Sequence, residues 1–291
     1  MSARGIITGL LLAAAVGLPT GLCAQSTEVV APPAPDADAL AAELRVLAAN
    51  PDDLPALLRA GELALKLGDP TAAASFFARA ERIDPRSGRQ KAGTAATLLR
   101  LERPGEALAL FAQAEALGYA PSHYASDRAL AYDLTGDQPR AQRDYALALR
   151  QDADDPETLR RYALSLGISG EREPALEQID KLLRRSDRAA WRVRAFVLAM
   201  TGDVPGAEKI AVAMLPGGMA SSLSPFFARL PSLNAVDRAW AVHFGELTPS
   251  PARLADARLA PRLERLIVEP RAPVQTAVLA PAPRPDHHIV P

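Results

Sequence analysis

The sequence is poor in the residue types that most enzyme centres use. Its 291 residues include one cysteine and four histidines. It contains no phosphate-binding G-x-x-x-x-G-K-[ST] loop, no G-x-S-x-G nucleophile turn and no H-E-x-x-H metal motif. His123 and His243 are far apart in the chain, and the other two histidines are adjacent near its end. We therefore predict a protein that is not an enzyme, with no catalytic residues, no cofactor and no metal.

The chain also has almost no net charge, because 33 lysines and arginines are balanced by 34 aspartates and glutamates. Without a cationic excess we predict no binding to nucleic acid. Arginine outnumbers lysine heavily, and alanine and proline are abundant. This composition is typical of bacteria with GC-rich genomes.

The only cysteine, Cys23, lies in a predicted secretory signal peptide, residues 1–24. This segment has one positive side chain, an apolar run and a break at Pro19, and we expect cleavage after Ala24. The mature protein would then be periplasmic or secreted, with no disulfide. Two alternatives stay open: retention as an inner-membrane anchor, or lipidation at Cys23 despite the preceding Leu22. Membrane contact is expected only in those two cases.

A short pattern of small and aromatic residues recurs with a spacing of 34 residues. In the stretch 67–85, LGDPTAAASFFARAERIDP, Ala73, Phe77 and Ala80 share one face of a predicted helix. The pattern recurs three times, the last with aliphatic variants: Ala107, Phe111 and Ala114; Ala141, Tyr145 and Ala148; Ala175, Ile179 and Leu182. Self-similarity at this period indicates a helical repeat array, whereas an ordinary bundle of alanine-rich helices would not explain the constant phase.

Glycines and several other residues keep the same phase. They are Gly61, Gly68, Gly136, Gly170, Trp191, Gly202 and Ala207. These spacings resemble the tetratricopeptide repeat, a helix-turn-helix unit with a large residue, small residues, a turn glycine and an aromatic residue at fixed positions. The resemblance covers residues 54 to about 219 and implies an all-α, right-handed superhelical solenoid of about five units. In the second unit, Glu102 replaces the usual turn glycine.

The predicted organisation follows from this register and from the composition of the two ends. The segments are a signal peptide (1–24), a Pro-rich linker (25–37), a half-unit (38–53), repeat units (54–87, 88–121, 122–155, 156–187 and 188–219), capping helices (220–247) and a flexible Pro/Ala/Arg-rich tail (248–291). Within the tail, a short amphipathic helix is expected near 252–268.

The two predicted capping helices cover residues 222–230 and 234–244. Their aromatic residues are expected to cover the apolar side of the last repeat: Phe226, Phe227, Trp240 and Phe244. A repeat array needs such a cap, because each unit buries part of its apolar surface against a neighbour.

The resemblance implies a concave groove, lined by the first helix of each unit, as the functional surface. Five residues are predicted to form its peptide-binding part: Arg160, Arg161, Leu164, Arg192 and Phe196. Arginine can hold a carboxylate at two points, so the expected partner is a protein or peptide segment that is acidic and partly apolar. Alternatively, the leucines complete helix packing, and the arginines pair with Glu157, with Asp187 or with solvent.

We therefore expect a non-catalytic protein–protein interaction scaffold in the bacterial cell envelope. Its role by analogy would be that of an adaptor or assembly factor, for example for a secretion or pilus system. The alternative is a regulatory or targeting subunit for a peptidoglycan-active hydrolase carried on another chain. An enzyme of unrecognised type is a third, less favoured hypothesis.

Overall fold

A computed structural model of the chain describes residues 35–216, 218–264 and 266. The predicted signal peptide lies outside these residues. Over the described part of the chain, every regular element is a helix. One helix precedes five consecutive helical pairs: α1 (Pro35–Ala49); α2 (Leu54–Lys66) and α3 (Pro70–Ile83); α4 (Gly88–Arg100) and α5 (Pro104–Ala116); α6 (Ala125–Thr135) and α7 (Gln138–Leu149); α8 (Pro156–Ile168) and α9 (Arg172–Arg184); α10 (Arg188–Met200) and α11 (Val204–Met214).

Three short helices follow the last pair. They are α12 (Ser224–Arg229), α13 (Ala235–Phe244) and α14 (Pro251–Ala257). Single 3₁₀ turns lie at Pro121–His123, Ser221–Leu223 and Leu230–Ser232. We refer to residues 221–264 as the C-terminal segment. None of the helices in the described part of the chain is both long enough and apolar enough to cross a bilayer.

Local sequence explains where most of the paired helices begin and end. The turn between α2 and α3 is an example: Gly68 has a φ of 79°, a left-handed conformation that glycine adopts without steric cost. Asp69 then caps α3 by accepting a hydrogen bond from the backbone N–H of Ala72 at 2.8 Å. Pro70 follows at the first helical position, where its missing N–H costs nothing.

The pairs stack so that their first helices form one layer. Each of α2, α4, α6 and α8 contacts the first helix of the next pair, and each of α3, α5, α7 and α9 packs between two successive first helices. We call the surface of this first-helix layer that faces away from the second helices the inner face. The arrangement is an all-α solenoid of helix-turn-helix units, as the resemblance implied.

The recurring small and aromatic residues form the contacts between helices. Phe77 is fully buried between α2 and α4, where it packs against two glycines. A Cβ atom on Gly93 would lie 2.3 Å from the ring, and one on Gly61 would lie 2.6 Å from it. Fully buried positions of the same pattern are Ala73, Ala80, Ala107, Phe111, Ala114, Ala141, Tyr145, Ala175 and Ala207.

Among the helical residues of the predicted repeat pattern, two are not fully buried. Ala148 is half-buried. Trp191 is 37% exposed, and the guanidinium of Arg194 lies 5.9 Å from the centre of its ring. Its indole therefore does not form part of the core of the last pair, although its position in the repeat predicts a packed residue.

The two ends of the described chain correct the sequence-based boundaries. Helix α1 begins at Pro35 and not at residue 38, so the predicted linker is shorter than expected. The tail was expected to be flexible from residue 248, but its first part forms α14 and packs on the array. This helix ends at Ala257, well before the expected end at residue 268.

The C-terminal segment does not simply cap the last repeat. Helix α12 does pack on α10 and α11, and Phe226 and Phe227 contact Phe196 of the last pair. Helix α13, however, turns back and lies against α6 and α8, while α14 reaches α5. Trp240 is therefore buried against the third pair. There its Nε1–H donates a hydrogen bond to the backbone carbonyl of Leu134 at 2.9 Å.

Helix α14 supplies a cap that the second unit lacks. At the start of α5 the N-cap residue is Arg103, whose side chain makes no capping hydrogen bond. Instead, the carboxylate of Asp256 accepts hydrogen bonds from the backbone N–H groups of Gly105 at 2.7 Å and Glu106 at 3.2 Å. The first, third and fifth units each carry their own aspartate at the equivalent place: Asp69, Asp137 and Asp203.

We expect Asp256→Ala to lower the free energy of unfolding by about 0.5–2 kcal/mol, the usual effect of losing a helix N-cap. The same substitution at Asp52, on an exposed turn, is the matched control and should change stability by about 0.5 kcal/mol or less. Urea denaturation followed by circular dichroism measures both. Equal effects of the two substitutions would contradict the capping role of Asp256.

Candidate functional site

Helix α13 of the C-terminal segment lies on the inner face over the third and fourth units. Besides the hydrogen bond from Trp240, Arg238 donates to the backbone carbonyl of Ile168 at 3.1 Å, at the end of α8. Arg253 fixes α14 to α13, because it pairs with Asp237 at 2.6 Å and lies 4.7 Å from the ring centre of Trp240. A partner can therefore reach only the parts of the inner face that this segment leaves uncovered.

One such part is a cavity of about 280 Å³ beside the first turns of α8 and α10. All five residues predicted to bind a peptide line it: Arg160, Arg161, Leu164, Arg192 and Phe196. The opposite wall consists of the C-terminal end of α13, residues 242–244. Sequence reasoning placed the five residues on neighbouring helices, but it missed this second wall.

Two of the three arginines are already engaged in ion pairs. Arg160 binds the carboxylate of Asp187, the N-cap of α10, at 2.6 Å. Arg161 is buried and binds Asp127 at 3.0 Å and also Glu157. These two arginines hold adjacent units together, which matches the alternative considered for them from the sequence.

The ion pairs keep the buried guanidinium of Arg161 charged. Burial by itself lowers its pKa, but the negative charges of Asp127 and Glu157 outweigh this effect and leave the pKa raised overall. Glu157 also lies 3.5 Å from Arg100, another residue of the cavity wall. The charges on this side of the cavity are thus largely compensated within the protein.

Arg192 differs from the other two arginines. Its side chain is exposed at the edge of the cavity, and no carboxylate of the described residues lies within ion-pair distance of it. Leu164 on α8 and Phe196 on α10, the two apolar residues predicted from the sequence, also line the cavity. The cavity therefore combines one uncompensated cation with an apolar surface.

His243 on α13 adds a neutral ring to this wall. Its Nε2 atom is buried and has no hydrogen-bond partner among the described residues. Burial, and to a smaller extent the charge of Arg161, lowers the pKa of His243 to about 3. The imidazole is therefore uncharged at neutral pH, and it adds no positive charge to the cavity.

Groups that could carry other chemistry are not assembled in the described part of the chain. No cluster of three or more histidine, cysteine, aspartate or glutamate side chains with metal-binding geometry occurs there. His123 stacks on the ring of Tyr119 at a centroid distance of 4.9 Å, far from His243 in sequence and on a different element.

Comparison with solved structures identifies the architecture. No family model matches the sequence, and no curated protein does. The Cut9–Hcn1 hetero-tetramer of the APC/C, a tetratricopeptide-repeat structure, aligns with a TM-score of 0.51 at 12% identity, over 77% of this chain and 46% of that chain. The chain has the tetratricopeptide-repeat fold.

Two further tetratricopeptide-repeat structures also align. MamA matches at 20% identity and a TM-score of 0.39, over 53% of this chain and 91% of that one. YrrB, described as a TPR protein with an unusual peptide-binding site, matches at 15% identity and a TM-score of 0.45, over 64% of this chain and 98% of that one. Both TM-scores are below 0.5, so the assignment of the fold does not rest on these two alignments.

Proposed function

We propose that this tetratricopeptide-repeat protein is a non-catalytic interaction scaffold of the bacterial cell envelope. In this role it acts as an adaptor or assembly factor and binds a peptide segment of a partner protein at the cavity beside Arg192. The observation that carries the proposal is the uncompensated charge of Arg192 next to the apolar side chains of Leu164 and Phe196. A segment that is acidic and partly apolar would complement both features.

The envelope location is part of the proposal and rests on residues 1–24, which lie outside the described part of the chain. We expect removal of this segment on export, so that the intact mass of the periplasmic protein corresponds to a chain beginning at Gln25. A full-length species found only in the inner membrane would contradict the prediction and favour a retained anchor.

The binding proposal can be tested with a defined peptide library, displayed on phage and selected on the full chain. Acidic peptides with apolar residues are expected to be enriched. Arg192→Glu should weaken their binding at least about tenfold, equivalent to about 1.4 kcal/mol, because it places a like charge against the peptide carboxylate. Helical content and melting temperature should stay unchanged, because Arg192 is exposed and makes no ion pair with a described residue.

Arg150→Glu is the matched control, since Arg150 is an exposed arginine at the end of α7, a second helix of its pair. Arg160 is less suitable for a charge reversal, because the variant would also lose the ion pair with the N-cap of α10. If Arg192→Glu leaves affinity intact while Arg150→Glu abolishes it, the cavity is not the binding site and the outer side of the array is. Enrichment of sequences from envelope hydrolases would favour the regulatory-subunit alternative.

A further inference from the structure

A larger cleft of about 810 Å³ adjoins the cavity at the end of the array. Its walls come from α10 and α11 of the last repeat, from the chain around α12, and from the C-terminal end of α13. Arg192, Phe196 and His243 line both the cleft and the cavity, so the two spaces are neighbours. The cleft is within the size range of protein sites that bind small molecules or anchor side chains.

Three phenylalanines form one wall of the cleft. The ring centres of Phe196 and Phe226 are 5.9 Å apart, and each lies 6.2–6.3 Å from that of Phe227 in an edge-to-face arrangement. Phe227 is buried, whereas Phe196 and Phe226 are only half-buried. The rings support one another and still present apolar surface to an incoming side chain.

Among the described residues that line the cleft, the charged side chains are both cationic. Arg188 and Arg192 lie one turn apart on α10, and both are exposed. None of the described residues that line the cleft is an aspartate or glutamate. The carboxylate of Asp187, next to Arg188 in sequence, is already bound to Arg160 at 2.6 Å. An anionic group from outside the protein, such as a carboxylate, therefore complements this edge, whereas a cation does not.

We propose that the cleft holds a large apolar side chain of the partner segment, while Arg188 and Arg192 bind a carboxylate next to it in the partner's sequence. The inference rests on the proposed function and specifies the partner chemistry: an aspartate or glutamate beside leucine, isoleucine, methionine or phenylalanine. A desolvated apolar pocket with an adjacent charge-assisted contact has the features of an interface hot spot. The cleft holds the apolar anchor residue of the partner segment, and the two arginines set the orientation of that segment.

The first experiment uses 8-anilinonaphthalene-1-sulfonate, an aromatic anion that becomes fluorescent in apolar surroundings. Titration of the full chain should give saturable binding. The variant with Arg188→Gln and Arg192→Gln should raise the dissociation constant about tenfold. Ala189→Trp should have a similar effect, because Ala189 lines both the cleft and the cavity and the substitution places a large side chain there. The matched control replaces Arg184 and Arg185 by glutamine, because both are exposed near the end of α9 and line neither space.

The second experiment asks whether library-selected peptides displace this probe. Displacement that is lost when the peptide's carboxylate becomes an amide, or its large apolar residue becomes alanine, supports the inference. Peptides that depend on Arg192 but neither displace the probe nor respond to Ala189→Trp would overturn it and leave the proposed function intact. Equal probe affinity in all variants would also overturn it. The absence of any peptide binding would overturn both proposals.

Discussion

Trp240→Ala is expected to lower the free energy of unfolding by about 3–5 kcal/mol, the range measured for removal of a large buried aromatic side chain. Only 1% of the Trp240 side chain is exposed. The substitution leaves a cavity between α13 and α6, removes the hydrogen bond to Leu134 and takes away the ring on which the Arg253 guanidinium lies. The change should therefore also loosen the C-terminal segment from the inner face.

Urea denaturation measures the stability change, and limited proteolysis of residues 234–264 measures the loosening. The sequence contains two tryptophans, so Trp191→Ala is a control that removes the same side chain from an exposed site. That control should cost about 1 kcal/mol or less, and it should leave the C-terminal segment protected. Similar losses for the two variants would show that α13 does not pack on the inner face as described.

The second large effect concerns Asp133, a fully buried residue of α6. Burial raises the pKa of its carboxyl from the usual 3.8 to about 8, although the neighbouring hydroxyls of Ser165 and Tyr145 partly offset this increase. The Ser165 hydroxyl donates to Oδ1 at 2.7 Å and connects α8 to α6. At neutral pH this carboxyl is therefore mostly protonated in the folded chain and ionised in the unfolded chain.

The free energy of unfolding depends on pH because the folded and unfolded chains bind different numbers of protons at Asp133. Between pH 3.8 and about 8 the folded chain retains a proton that the unfolded chain has lost. Stability must then fall as pH rises, with a slope of about 1.4 kcal/mol per pH unit for one proton. His243 acts in the opposite direction below pH 6.5, because there the unfolded chain gains a proton that the folded chain does not bind until about pH 3.

The effect of Asp133 is thus best measured between pH 6.5 and 8, where we expect it to lower stability by about 2 kcal/mol. Asp133→Asn keeps an oxygen acceptor for Ser165 but cannot ionise, so it should remove this decline and make the protein more stable at pH 8. Asp52→Asn, at an exposed turn, should leave the decline unchanged. Parallel stability curves for wild type and Asp133→Asn would contradict the assignment.

Much of the repeat fold was predictable because its determinants are local. Gly68 and Asp69 lie next to each other in the turn they form, and Ala73, Phe77 and Ala80 lie on one helical face. Such features can be detected in the amino-acid sequence because spacing within a helix determines which residues face the same side. Trp191 shows the limit of this reasoning, since its position in the repeat does not make it buried.

The candidate site was only partly predictable. The repeat register placed Arg160 and Arg192 on neighbouring helices, and both line one cavity. The register could not show that Asp187 engages Arg160 and leaves Arg192 without a carboxylate partner among the described residues. Side-chain pairing of this kind depends on rotamers and on the distance between units, neither of which the spacing of residues specifies.

The amino-acid sequence by itself determined the 34-residue period, the helical pairs and the residues at their crossings, because these depend on neighbours within one or two units. Only the tertiary structure decided that the C-terminal segment returns along the inner face, that Asp256 caps α5 and that Arg188 and Arg192 border an apolar cleft. These contacts join Asp256 to Gly105 and Trp240 to Leu134, residues more than one hundred positions apart. The C-terminal segment that makes these contacts has no sequence periodicity. Its packing on the array therefore could not be predicted from residue spacing and is shown only by the tertiary structure.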